Sequence, residues 1–127
     1  MKNIMKFTAL FMMLLIAAPA FAQKVDQKME KRAWNTIENL CQTVQLDAAT
    51  KQKARDLTYT RAMAYVEPKA RMDANEITKK EYEAIGKKIN DKYWKEMQAL
   101  IPENQLDAFL AWKSKPKEER EAGPKRQ

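Results

Sequence analysis

The chain contains no histidine, and Cys41 is its only cysteine. The first absence removes the side chain that most often serves as general base and as transition-metal ligand. Together the two argue against a structural or catalytic zinc site, whose donors are mostly Cys and His. A lone cysteine also excludes an internal disulfide. Cys41 sits on or beside an apolar helical stripe, which favours a small buried hydrophobe; the alternative is an intermolecular disulfide. Two glycines, Gly86 and Gly123, are too few for a phosphate-cradling loop. Alternating β-branched runs and Asn-Gly or Asp-Gly hairpin turns are missing, so strands are not expected and the fold class is all-α. Acidic pairs such as Glu81 with Glu83, or Asp91 with Glu96, fall on a polar helix face. There they serve solubility and i, i+4 pairing, as in Glu83 with Lys87. No catalytic constellation, metal or cofactor is expected, and the chain does not read as an enzyme.

What is present begins with Lys2 and Lys6, followed by the nearly all-apolar run from Phe7 to Ala18 and by Ala20-Phe21-Ala22. A basic flank, a short apolar core and a small-residue cleavage pattern are the layout of a secretory signal peptide. A core of about 12 residues is too short for a membrane span, which needs roughly 20. The expected division is a signal peptide at 1–22, a helical domain at 23–113 and a disordered charged tail at 114–127. The expected cut near Ala22-Gln23 delivers a periplasmic or secreted protein. Removing Lys2 and Lys6 from 24 basic residues leaves 22 against 17 acidic ones, a formal charge of +5. Cations and acids alternate along the helices, so no basic tract with interleaved aromatics marks a nucleic-acid groove. Binding to an anionic membrane surface is open to such a chain but is not the favoured reading.

The stretch Asn75 to Gln105 organises the rest. Thr78 stands three residues before Glu81, which is a capping box, and Ile77 and Tyr82 occupy the positions of a hydrophobic staple. Tyr82, Ile85, Ile89, Tyr93, Met97 and Leu100 then recur at steps of three or four, giving one apolar stripe on a long helix. Pro102 cannot continue it and opens a short last helix with Leu106, Phe109, Leu110 and Trp112 as its apolar face. Gly86 lies within the long helix, where it permits either a close crossing or a bend. Upstream, Val25, Met29, Ala33, Ile37, Leu40 and Val44 predict a helix over 24–43. Asp47 is an N-cap for a second helix with two adjacent apolar sides, which Pro68 should end or kink near Glu67. The result is a small four-helix domain, bent or hairpin-like. Beyond Trp112 the composition turns polar, Pro-containing and charge-alternating, too poor in apolar surface to offset the entropy of ordering.

The run LIPENQLDAFLAWKSK after a long helix resembles the repeated element of the LTXXQ-motif periplasmic proteins, the Spy-like chaperones. Leu100, Pro102, Glu103 and Gln105 stand in the motif, and Leu106, Phe109 and Trp112 in the packing positions that follow it. LDAATKQKARDL, with Leu46 and Gln52, is an earlier and looser echo. Ile101 stands where the family has a helix-capping Thr, and Asn104 adds a residue before Gln105. The resemblance implies a thin, bent helical cradle that forms a homodimer and binds unfolded or partly folded envelope proteins on a basic, partly apolar concave face, without ATP. Metal-responsive members use His-bearing segments, which this chain lacks. On this reading the candidate client contacts are Arg55, Tyr59, Met63 and Val66 on the second helix with Lys87 and Lys88 on the third. The alternative function is an envelope-stress regulator or adaptor that binds one folded partner.

Overall fold

The computed structural model describes residues 19–123; the signal-peptide reading therefore lies outside the described residues up to position 18, and so does the end of the tail from 124. The described chain is helical, with no strand among the described residues. Helix α1 spans Pro19–Leu40, α2 Ala48–Ala64, α3 Val66–Asp73 and α4 Lys79–Leu100. A 3-10 turn at Glu103–Gln105 leads into α5, Leu106–Lys113, and α6 follows at Lys117–Glu121. Helix α1 runs unbroken through the expected cleavage junction at Ala22-Gln23. No described helix is long and apolar enough to cross a membrane.

Local chemistry fixes most boundaries. The Asp47 carboxylate accepts from the Thr50 N–H at 2.7 Å and caps α2. These hydrogen bonds to the charged form hold the Asp47 carboxyl below its ordinary value. At α4 the capping box is complete: the Glu81 N–H donates to Thr78 Oγ1 at 3.1 Å, and the Thr78 N–H to Glu81 Oε1 at 3.2 Å. Pro68 breaks the second helix earlier than Glu67. Helix α2 ends at Ala64, four residues before the proline, because Pro68 has no N–H for the Ala64 carbonyl and its ring crowds that oxygen. The chain restarts at once as α3, with Pro68 in its first turn. Helix α3 closes on Asn75, whose φ of 59° is left-handed. The Asn75 N–H donates to Met72 O and the Glu76 N–H to Arg71 O, a Schellman closure.

Helices α1 and α2 form an antiparallel hairpin, α2 packs along α4, and α3 doubles back on the N-terminal half of α4. The core lies at one end, where Ile37, Leu40, Val44, Ala54, Tyr93, Met97, Phe109 and Trp112 cluster with Ile101. The C-terminal parts of the stripes read from α1 and α4 point into it. In the N-terminal half of α4, Tyr82, Ile85 and Ile89 are only half-buried, since α3 is short. Cys41 is half-buried against this core, and burial pushes its thiol above the ordinary range.

Two points correct or refine the reading of the sequence. The tail is not disordered through residue 123: α6 returns to pack on α1. Asn39 Nδ2 donates to Glu119 O at 2.9 Å and Ala122 O at 3.1 Å, while Asn39 Oδ1 accepts from the Trp112 indole at 2.8 Å. Polar docking, rather than apolar burial, supplies the order that composition argued against. Gly86 is a close approach: a Cβ there would stand 3.2 Å from Tyr65 Cε1, and the Tyr65 hydroxyl donates to Gly86 O at 3.0 Å.

Candidate functional site

Between α1, α2, α4 and the returning α6 lies an open cleft of about 420 Å³. Helix periodicity builds its walls. Arg61 follows Ala54 and Thr58 along one face of α2, and the continuation of that face brings Tyr65 and Val66 to the same opening. Helix α1 presents Lys28 and Arg32 one turn apart, α4 presents Tyr82, Asn90 and Trp94, and α6 presents Lys117, Arg120 and Glu121.

The electrostatics are one-sided. With Lys69, six cationic side chains line the cleft, and Glu121 is the single carboxylate among its lining residues. Glu121 divides its oxygens between two helices: Oε1 is 3.4 Å from Arg61 and Oε2 is 3.6 Å from Arg32. The Arg61 guanidinium also lies 4.2 Å from the centre of the Tyr93 ring. Trp94 is surrounded by cations, with Arg120 at 5.0 Å, Lys113 at 5.1 Å and Arg61 at 5.9 Å from its ring. Such cation–π contacts let arginines crowd together with few carboxylates to balance them. The crowding has a cost. Burial and the neighbouring Arg61 lower the affinity of Arg120 for its proton, and the Arg120 Nε is buried without a hydrogen-bond partner. Thr58, which lines the cleft, shares a 2.9 Å hydrogen bond with the core Tyr93 hydroxyl, and burial raises that hydroxyl above its ordinary value.

Of the six side chains expected to contact clients, Val66 lines the cleft and five do not. Arg55 is turned to α1, paired with Glu30 at 2.7 Å and Asp56 at 2.9 Å, beneath the faces of Trp34 and Tyr59. The Tyr59 hydroxyl bonds Asp26. Met63 is half-buried, while Lys87 and Lys88 are exposed on α4. The family-like motif is structural in this fold. Leu100 packs on the core, Pro102 caps the 3-10 turn containing Glu103, and Gln105 Oε1 accepts from the Gln45 N–H at 3.0 Å, tying that turn to the α1–α2 loop.

Arg32, Arg61, Trp94, Arg120 and Glu121 were the residues that sequence reasoning missed. One signal existed for Arg61, a charge standing within an apolar stripe of α2. No signal existed for Arg120 and Glu121, which lie in a segment without apolar residues. Large apolar side chains are mostly covered: among the described residues Leu110, 42% exposed, is the one exposed large hydrophobic. Apolar contact in the cleft therefore rests on half-buried groups such as Met29, Tyr65, Val66, Tyr82 and Trp94. Among the described residues no group of three or more Cys, Asp or Glu side chains is arranged to hold a metal ion. No protein-family model, curated protein or solved structure matches the chain.

Proposed function

We propose that this is an exported, ATP-independent, holdase-type chaperone of the Spy-like kind, which retains unfolded or partly folded envelope proteins on its basic cleft. The observation that carries the reading is that opening, where six cations and several half-buried aromatic and aliphatic side chains share one concave surface. Long-range attraction draws acidic client segments toward it, and shallow apolar contact then holds them. Partial rather than full exposure of Tyr65, Tyr82 and Trp94 suits weak, reversible holding. No nucleotide and no reactive side chain enter this mechanism. The signal-peptide layout of residues 1–22 supports export to the periplasm or outside the cell, and the family resemblance supports a homodimer.

The test is suppression of aggregation. The chain without residues 1–22, at near-stoichiometric amounts, should delay light scattering by several unrelated proteins diluted from denaturant, and added salt should weaken the effect. Failure against every client would overturn the proposal. A second reading, an adaptor for one folded partner, draws support from the gathering of six cations around a single carboxylate in one small cleft. It would be selected by capture of a single defined protein without any delay of aggregation.

A further inference from the structure

Glu121 is an unusual member of the cleft. It is the lone carboxylate among six lining cations, and it reaches Arg61 from 60 positions further along the chain. Its separations of 3.4 and 3.6 Å are long for charge-assisted hydrogen bonds, which close to about 2.7–2.9 Å when unstrained. The segment that carries it, Lys117–Glu121, buries no side chain fully. Its backbone is pinned to α1 by Asn39. A carboxylate thus rests between two arginines on a five-residue helix with no apolar anchor of its own.

We propose that the Arg32–Arg61 pair is a carboxylate-recognition site for an acidic segment of a partner polypeptide, and that Glu121 is its resident, displaceable occupant. The inference rests on the cleft being the client-binding surface and names the chemistry it selects. Two guanidinium groups from different helices converge on one carboxylate, and an incoming Asp or Glu side chain replaces Glu121 without leaving either arginine unpaired. Val66 and Tyr82 in the same cleft offer apolar contact to a neighbouring side chain of the segment. The partner is therefore a peptide that places an acidic residue beside an apolar one. A nucleic acid fits less well. Single-strand binding relies on open aromatic faces for base stacking, and the Trp94 ring is already attended by Arg61, Lys113 and Arg120.

The test uses the full chain without residues 1–22 and a fluorescein-labelled peptide of about ten residues alternating Glu with Leu and Phe, followed by anisotropy. Glu121→Gln should tighten binding roughly threefold to tenfold, the size expected when a weak, partly exposed ion pair no longer competes. Arg32→Gln alters a half-exposed side chain and should weaken binding at least about threefold by the same reasoning. The same peptide with Gln in place of Glu should not respond to Glu121→Gln. Circular dichroism confirms that each variant is folded. Unchanged or weaker binding by Glu121→Gln overturns the proposal, as does an equal response to the Gln peptide. A larger gain for a single-stranded oligonucleotide of matched charge overturns it too. Aggregation suppression run in parallel separates the two readings. If holding persists while the peptide ignores Glu121, the carboxylate site is wrong and the chaperone reading stands. If Glu121→Gln tightens peptide binding and no client is held, the converse applies.

Discussion

Asn39→Ala should cut the attachment of the C-terminal helix and destabilise the fold by about 2 kcal/mol. The magnitude follows from three hydrogen bonds. The Trp112 indole N–H loses its acceptor, and Trp112 is only 1% exposed. A buried donor left unpaired costs about 1–3 kcal/mol, and the lower end applies here because the Asn39 side is within reach of water. The bonds from Nδ2 to the Glu119 and Ala122 carbonyls are exposed, so each contributes about 0.5 kcal/mol. For a domain near 100 residues, a loss of about 2 kcal/mol lowers Tm by roughly 10 °C. Thermal unfolding by circular dichroism measures the global part. Hydrogen exchange measures the local part at the Arg120 amide, which donates to Pro116 O and should lose its protection. Asn39→Asp separates the two: it keeps an acceptor for Trp112 but loses the donor, so α6 should detach with a smaller fall in Tm. An Asn39→Ala variant that melts within a degree or two of the parent, with unchanged exchange at Arg120, would refute the polar-docking account of the tail.

Other expectations follow from the same geometry. Thr78→Ala removes the acceptor of the Glu81 N–H and half of the capping box, and should cost about 1 kcal/mol in urea unfolding. Phe109→Ala empties a fully buried site in the core and should cost about 3–5 kcal/mol, a large share of the 5–15 kcal/mol typical of a domain, so heat should unfold it far below the parent. Burial raises the folded-state value of the Tyr93 hydroxyl above its unfolded value of 10.0, with Arg61 opposing only in part. Its contribution to stability is therefore complete below pH 10 and declines as pH rises from there through the folded value. Urea midpoints taken from pH 8 to pH 11 should fall more steeply for the parent than for Tyr93→Phe, which starts about 1 kcal/mol lower through loss of the Thr58 bond.

The caps at Asp47 and Thr78, the break at Pro102 and the inward C-terminal parts of the α1 and α4 stripes were legible in the residue order. Each depends on groups three or four positions apart, which the chain itself holds within reach. Pro68 shows the resolution of such reading: the proline announces a break, and the carbonyl four residues upstream decides where it falls. By sequence Gly86 permits either a close crossing or a bend, and Tyr65, 21 residues away and standing across its bare Cα, decides for the close approach. The cleft was less legible. Periodicity placed Arg55, Tyr59 and Met63 on the second helix without saying which side α1 would cover, and α1 covers Arg55 and Tyr59. The order of α6 and the meeting of Arg32, Arg61 and Glu121 belong to tertiary structure alone. They depend on the Asn39 bonds that span 80 and 83 residues, and no local propensity encodes contacts of that length. Hydrogen bonds within a turn are dictated by connectivity, whereas a polar segment gains order only once a folded surface offers it partners.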